Sequence, residues 1–459
     1  MSLRLCLCYH RAPMRSTTAT NRDLTGAVPP VSSWIATGAG RPAPAPARIA
    51  GEPVKLDVTE RKVVALTAGA HWVTHAAMLA LPAAAILFKT QFQLNDFTYG
   101  LLANLSFLGF GLGALPAGLL VDRIGPRKTL RLCLAGIALG AVVTALSTEL
   151  WSVIVGTTLM GLAAGLYHPA GLTLISANLA RDARGMGYHG IAGSLGLSSG
   201  NFIAAGVLAA WGWPELFWLY AGLCAVGLVY QLGSVRNMEL SEPHTTETED
   251  DEPQRPPLGK VALALIAMAL LGFSYRGMVV FMPIYFGGQL PVAGLTPEVV
   301  GNLATGVVLI GGVAGQFSGG IIAEKRLPLR SATLLAVLAA ACALAARWVG
   351  GWGTLAVSVL LAAAVFATQP ITNALIGRLM PAKHRGKGYG VASAFNFGFG
   401  SLAASAGGAL AEATSLDNLF LMLAASALAA ALVIYLLRRR GGDDYARPRR
   451  NTPREPRDR

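Results

Sequence analysis

The chain has 459 residues, of which 53% are hydrophobic and only 13% are charged. Soluble domains carry roughly 25% charged residues, so this composition excludes an ordinary water-exposed surface and predicts a membrane protein. The net charge of +13 could indicate nucleic-acid binding. The basic residues, however, lie in short loops between long apolar segments. We therefore expect contact with the lipid bilayer and not with nucleic acid.

Residues 1–58 are rich in proline, alanine and arginine and predict a disordered cytoplasmic N-terminal tail. Beyond them, apolar segments long enough to span a bilayer, about 20 residues each, occur twelve times. The predicted spans are 62–88, 97–121, 129–147, 151–177, 187–210, 214–234, 259–286, 297–323, 330–347, 352–378, 387–411 and 416–437.

A polar, acidic segment at 236–258 divides the twelve spans into two groups of six and predicts a cytoplasmic linker. The sequence thus predicts an all-α membrane protein with two six-helix bundles, residues 59–235 and 259–438. A basic cytoplasmic tail, 439–459, follows them.

Basic residues occur in every second loop, whereas the intervening loops contain acidic residues such as Asp96, Glu215 and Glu298. This alternation is the positive-inside pattern, which places the basic loops on the cytoplasmic side. We expect both termini to lie in the cytoplasm and the protein to lie in a bacterial inner membrane.

Two stretches of the chain repeat each other. GLLVDR at Gly118–Arg123 corresponds to GIIAEK at Gly320–Lys325, and His168-Pro169 corresponds to Gln369-Pro370 at nearly the same separation. A steady offset over several landmarks indicates an internal duplication with both halves in the same orientation.

The first repeated loop resembles the G-x-x-x-D-R-x-G-R-R/K motif that follows the second helix in the major facilitator superfamily, with Pro126 as an insertion. The matching residues are Gly118, Asp122, Arg123, Gly125, Arg127 and Lys128, and a degenerate second copy contains Glu324 and Lys325. The stretches HWVTH and YHPAG also resemble the fosmidomycin-resistance-like efflux proteins of that superfamily. The resemblance covers about residues 59–438 and implies a secondary transporter with the fold of the superfamily.

The resemblance also implies a cytoplasmic gate. Asp122 would meet the start of the eleventh helix near Arg385, and Glu324 would meet the start of the fifth, when the cytoplasmic side is closed. A carboxylate is stabilised beside the positive N-terminus of a helix. Gly113 and Gly118 are expected to permit close helix approach. Alternatively, the charges of the loop only fix the topology.

Polar residues within the spans predict a central cavity for cargo and proton. The candidates are His71, His75, His168, Arg276, Gln369 and Asn373. In the superfamily, the first, fourth, seventh and tenth helices, which carry them, line the cavity. Alternatively, the histidines hydrogen-bond across helices and Arg276 binds backbone carbonyls.

Arg276 carries a permanent charge, and no acidic residue falls in the interior of a span, so we expect it to bind a carboxylate, phosphonate or phosphate of the cargo. The histidines remain as groups that titrate near neutral pH. We interpret His189 as structural and Tyr167 as a packing residue.

The predicted function is alternating-access transport, namely proton-coupled efflux of a small organic anion or drug-like compound by a monomeric antiporter of the drug-resistance type. No catalytic, nucleotide-binding or metal-ligand motif is found, so we expect no enzyme activity, cofactor or metal. Two alternatives remain open: uptake or exchange of a carboxylate or phosphorylated metabolite, and a non-transporting sensor or assembly protein.

Overall fold

The computed structural model describes residues 56–179, 182–234, 256–323, 328–381 and 385–442. They form helices joined by short loops, without a strand in these ranges. The helices are α1 (Val58–Met78), α2 (Ala80–Ala83), α3 (Ala85–Gln91), α4 (Asp96–Ile124), α5 (Pro126–Ala145), α6 (Leu150–Gly165), α7 (Tyr167–Asn178), α8 (Asp182–Ala210), α9 (Trp213–Ser234), α10 (Leu258–Gln289), α11 (Pro297–Ala323), α12 (Pro328–Val349), α13 (Gly351–Leu379), α14 (Arg385–Ser393), α15 (Gly400–Ala413) and α16 (Leu419–Leu437). The N-terminal tail up to residue 55, the loop with Glu324 and Lys325, most of the linker and the chain after residue 442 lie outside the described residues.

The described helices have the length and surface of membrane spans. Within the described part of the chain, ten helical segments are long and apolar enough to cross a bilayer. Large apolar side chains are exposed on them, for example Leu119 at 53% and Val229 at 70%. A surface of this kind is stable against lipid and would aggregate in water. The prediction of an all-α membrane protein is confirmed.

Two predicted spans are interrupted near a proline. The span predicted at 62–88 is divided into α1, α2 and α3, with turns at Leu79 and Ala84. The span predicted at 151–177 is divided into α6 and α7 at Leu166. Pro82 and Pro169 each lack the N–H that would donate to the carbonyl four residues earlier, so an uninterrupted hydrogen-bond ladder is impossible there.

The eleventh predicted span, 387–411, contains α14, a π-helical turn at Ala394–Phe399, and α15. The π-helical turn widens the helix where Gly272 of α10 packs against Asn396 and Gly400. A single π-turn within a helix is frequent at functional sites.

The internal duplication is visible in how the helices pack. A Cβ atom added at Gly113 of α4 would overlap the carbonyl oxygen of Leu162 in α6, and one added at Gly315 of α11 would overlap that of Ala363 in α13. The two contacts correspond under the offset of the repeat. The fold therefore has two pseudo-symmetric halves, the first formed by α1–α9 and the second by α10–α16.

The two halves are joined by hydrogen bonds at the end of the molecule where α4 begins, called here the Asp96 end. The side chain of Asn302 donates to the carbonyl of Ala83 at 2.8 Å. The backbone N–H of Asp96 donates to a carboxylate oxygen of Glu412 at 3.1 Å. Nearer the middle, the Ser401 hydroxyl lies 2.6 Å from the side-chain oxygen of Asn104.

At the opposite end, where α4 ends, α4 packs against α14. The carbonyl oxygen of Ala114 in α4 lies 3.6 Å from a Cβ atom added at Gly390 of α14. A Cβ atom added at Gly118 or at Gly320 would meet no atom within 4 Å. Close helix approach is thus observed at Gly113, whereas no described residue approaches Gly118 closely.

Candidate functional site

A single arginine lies buried where the two halves meet. Arg276 of α10 is only 2% exposed. Its guanidinium carbon lies 4.3 Å from the ring centre of Phe107 in α4 and 4.8 Å from that of Phe397 in the π-helical turn. It also lies 4.5 Å from the ring of Tyr275. Aromatic residues of both halves therefore surround the charge.

The charge of Arg276 has no anionic partner among the described residues. No described carboxylate lies within ion-pair distance of it, and its Nε atom has no hydrogen-bond partner. A cation held over aromatic rings gains about 2 kcal/mol or more when it is desolvated. Burial of an ion costs several kcal/mol, so the rings alone do not compensate this charge.

The four histidines that the structure describes form one cluster in the first half. His71 and His75 lie in α1, His168 lies in α7 and His189 lies in α8. The ring of His71 lies 3.9 Å from that of His189, 4.7 Å from that of His75 and 5.1 Å from that of His168. The helical spacing of four residues in α1 and the packing of α7 and α8 against α1 bring them together.

Hydrogen bonds orient two of these imidazole rings. Nδ1 of His71 lies 2.6 Å from the backbone carbonyl oxygen of His189, so this nitrogen carries the hydrogen and donates. The Tyr167 hydroxyl donates to the carbonyl of Thr67 at 2.5 Å. Nδ1 of His189 lies 3.2 Å from the same hydroxyl oxygen. Because the hydroxyl has one hydrogen, His189 must be the donor in this contact.

Two ring nitrogens of the cluster have no partner. Nε2 of His71 and Nε2 of His168 are buried and make no hydrogen bond. The space beside His71 depends on Gly193 of α8, where an added Cβ atom would lie 2.6 Å from Nε2 of His71. The helices thus enclose two unpartnered ring nitrogens that are available to a proton or another ligand.

Phe397 connects the arginine with the histidines. Its ring stacks on that of His168, with centres 5.8 Å apart, and lies 4.4 Å from that of Phe110. The same ring faces Arg276. The π-helical turn of the second half therefore places one aromatic side chain against both groups of charged or titratable residues.

The remaining cavity candidates lie apart from this cluster. Gln369 is half-buried and Asn373 is exposed. Neither side chain has a hydrogen bond, ion pair or ring contact with a described residue. The structure brings together His71, His75 and His168, with Arg276 on the other side of Phe397, and does not bring Gln369 or Asn373 to them.

The gate loop is a tight turn between two helices. Gly125 ends α4 with φ of +85°, a conformation that favours glycine, and Pro126 begins α5, where its missing N–H is not needed. Asp122, Arg123 and Lys128 are exposed.

Arg127, the remaining basic residue of the loop, is half-buried, and its carbonyl accepts a hydrogen bond from Gln231 at 2.9 Å. Asp122 makes no hydrogen bond or ion pair with a described residue. Its predicted contact with the start of the eleventh helix stays a prediction, and Glu324 and Lys325 lie outside the described residues.

His189 and Tyr167 are predicted from the sequence to have structural roles, and no sequence pattern points to Phe397. His189 is next to the histidine ring of α1 because the start of α8 packs along α1. Phe397 faces the site because the π-helical turn rotates it there. Neither helix packing nor a π-helical turn leaves a periodic pattern in the sequence, so the positions of His189 and Phe397 in the site could not be predicted from it.

This arrangement of helices and buried polar groups is typical of a membrane transporter. The family model of the Major Facilitator Superfamily matches residues 67–368 and 292–458. The chain belongs to the Major Facilitator Superfamily. Its members are transporters, so the prediction of a transporter and not an enzyme is confirmed.

Relatives of known name match shorter parts of the chain. A triacylglyceride transporter of Mycobacteroides abscessus is 33% identical over 167 residues, 36% of this chain and 30% of that protein. The inner membrane transport protein YajR of Escherichia coli is 28% identical over 155 residues, 30% of this chain and 34% of that protein. The matches span about a third of the length of these curated relatives.

Solved structures share the fold over most of the chain. A POT family transporter in complex with 5-aminolevulinic acid has a TM-score of 0.66 at 14% identity, covering 82% of this chain and 96% of that one. A D-xylose-proton symporter has a TM-score of 0.64 at 15% identity, covering 82% and 97%.

Proposed function

We propose that this transporter moves a small organic anion by alternating access in exchange for protons, in the direction of efflux. The observation that carries the proposal is the uncompensated charge of Arg276, buried where the two halves meet. A charge at this position can contact cargo from either side as the halves rock around it.

Arg276 favours an anionic cargo. A permanently charged guanidinium in a buried site requires an anion or water, and its planar donors suit a carboxylate, phosphonate or phosphate group. The nearest described neighbours are aromatic rings, which also suit a cargo with an apolar part. A small amphipathic anion fits both properties.

The histidine cluster is the proposed coupling site. The acidic residues of the described spans lie near helix ends, for example Asp96, Asp122 and Glu412. The imidazoles of His71, His75 and His168 are therefore the groups at mid-span that can bind and release a proton. Unpartnered lone pairs on His71 and His168 can receive a proton.

The proposed gate is at the Asp122 end, which we place in the cytoplasm together with both termini. The two halves are hydrogen-bonded at the Asp96 end, and Asp122 is exposed. In the opposite state Asp122 would contact the start of α14 near Arg385, and Glu324 the start of α8. Gln369 and Asn373 would face the cargo path in that state.

A second candidate cargo is an uncharged lipid, because several matched relatives are named triacylglyceride transporters. A triacylglyceride has no group for the Arg276 guanidinium to bind. The two cargo classes therefore differ in their dependence on Arg276. Uptake or exchange of an anionic metabolite would use Arg276 but would not require the histidines.

The test is a panel of paired ligands. The purified full-length protein is heated with methylphosphonate, glycerol 3-phosphate, salicylate and the neutral analogue salicylamide, and its melting temperature is measured. Anionic members should stabilise the wild type and not Arg276→Gln. Equal stabilisation of both proteins, or stabilisation by neutral members alone, would refute the anion proposal.

Transport of the best anion is then measured in proteoliposomes that contain a pH-sensitive dye. Proton-coupled efflux predicts that an imposed pH gradient drives anion flux and that the dye reports a counterflow of protons. Anion exchange that needs no pH gradient would contradict proton coupling and support the exchange alternative.

A further inference from the structure

We propose that the histidine cluster of the first half binds a divalent transition-metal cation such as Zn²⁺ through His71, His168 and His189. One ring nitrogen of each of these residues lies within 4.8 Å of those of the other two. The sequence predicted no metal, because these residues are far apart in the chain and lack a ligand motif. Their proximity arises from the packing of α1, α7 and α8.

The hydrogen bonds around the cluster determine which ring nitrogen of His71 and of His189 has a lone pair for a metal. A metal-binding histidine usually donates its other ring N–H to a carbonyl or similar acceptor, which fixes the tautomer. Nδ1 of His71 donates to the carbonyl of His189, and Nδ1 of His189 donates to the hydroxyl oxygen of Tyr167. In the neutral rings, Nε2 of both residues is then the nitrogen with a lone pair.

The free nitrogens are the independent sign of a ligand. Nε2 of His71, on a residue that is 5% exposed, and Nε2 of His168 are both buried without a hydrogen-bond partner. A buried polar atom without a partner costs about 1–3 kcal/mol. A metal ion would satisfy both atoms at once, which a single packing contact does not do.

The chemistry of the donors selects the class of metal. Imidazole nitrogens suit Zn²⁺, Ni²⁺, Co²⁺ and Cu²⁺, whereas Mg²⁺ and Ca²⁺ require oxygen ligands. Tetrahedral Zn²⁺ with Zn–N distances of about 2.0 Å holds its ligand nitrogens about 3.4 Å apart. The rings of His71 and His189, now stacked at 3.9 Å, must therefore rotate as the ligand atoms close around the ion.

Three imidazoles leave a fourth position open. The ring of His75 lies 4.7 Å from that of His71 and 5.6 Å from that of His168, so His75 is the next titratable residue of the cluster. No carboxylate of the described residues belongs to the cluster. An exogenous anion in the fourth position would reduce the positive charge of the site. The guanidinium of Arg276, on the other side of Phe397, favours the binding of such an anion.

The experiment titrates ZnCl₂ and CoCl₂ into the purified full chain, prepared without a polyhistidine tag and stripped with chelator. We expect one equivalent of Zn²⁺ by calorimetry and the intense visible absorption of tetrahedral Co²⁺. His71→Ala and His168→Ala should each weaken binding at least tenfold. Tyr167→Phe, which removes the acceptor for His189, should weaken it by about 10- to 100-fold.

The matched control is the triple variant His10→Ala, His244→Ala, His384→Ala, which removes the other histidines of the chain and should bind as the wild type does. If a cluster variant does not fold, X-ray absorption spectroscopy of Zn²⁺ bound to the wild type replaces it. The spectrum should show three imidazole ligands. Absence of a stoichiometric site, loss of binding in the triple variant, or oxygen-only coordination would each overturn the proposal. None of these measurements depends on transport, so the proposed function can fail or succeed separately.

Discussion

The guanidinium carbon of Arg276 lies 4.3 Å from the ring centre of Phe107, so a charge carried by the second half is held against a side chain of the first. The contact joins α10 of the second half to α4 of the first half. Because the ring is a weak partner for a buried ion, the charge is costly to the fold and available to a ligand.

The variant Arg276→Met should therefore raise the melting temperature while it abolishes stabilisation by anions. Methionine retains much of the apolar contact and removes the cost of the buried charge. The control is Arg347→Met, since Arg347 donates to Asn418 at 3.1 Å and stacks on Trp348. Arg347→Met should leave the melting temperature unchanged or lower it. A strongly destabilised Arg276→Met would mean that the charge has a partner after all.

Packing between the halves can be tested with two glycines of one helix. A Cβ atom at Gly111 of α4 would lie 2.5 Å from backbone atoms of Gly398, whereas a Cβ at Gly118 meets nothing within 4 Å. Gly111→Ala should destabilise the protein by about 1–3 kcal/mol because of overpacking. Gly118→Ala should be neutral or stabilising by about 0.5–1 kcal/mol, since alanine favours helix. Equal melting temperatures for both variants would contradict the observed helix contact.

The fold could be predicted from the sequence because it depends on segment length and hydropathy. A bilayer can be spanned only by apolar helices of a given length. The stretch that begins at Gly118 recurs at Gly320, and this duplication predicts two halves of similar structure. The interruptions of the first and fourth spans follow from Pro82 and Pro169, but their positions depend on packing. The π-helical turn at Ala394–Phe399 has no such signal.

The site could be predicted only in part. Arg276, His71 and His75 are unusual in an apolar segment, so composition alone indicates a function. That His189 completes the cluster depends on the packing of α8 against α1. Gln369 follows from the repeat, since it corresponds to His168, yet in this conformation it contacts no member of the cluster. Sequence correspondence indicates a place in the fold and not a shared environment.

The gate proposal predicts a kinetic effect for Asp122→Asn. The neutral side chain would lose its attraction to the start of α14 in the closed state, an interaction worth about 0.3–2 kcal/mol. Turnover in proteoliposomes should fall by about twofold to thirtyfold, while the anion concentration at half-maximal stabilisation stays unchanged. Glu149→Gln, the same kind of change at an exposed residue outside the loop, serves as the control. A wild-type rate in Asp122→Asn would remove the gate role.

The coupling proposal predicts that His71→Gln separates two kinds of flux. Glutamine can still donate to the carbonyl of His189 but does not titrate, so the variant should fold and exchange anions across the membrane. Flux driven by a pH gradient should fall to the level of empty liposomes, because no proton can be carried in return. Trp72→Phe is the matched control. It lies in the same helix and loses a hydrogen bond to Ser199 of 2.9 Å, but it has no titratable group. If His71→Gln retained gradient-driven flux, the coupling proton would have to bind elsewhere, and the cluster would serve packing or the metal alone.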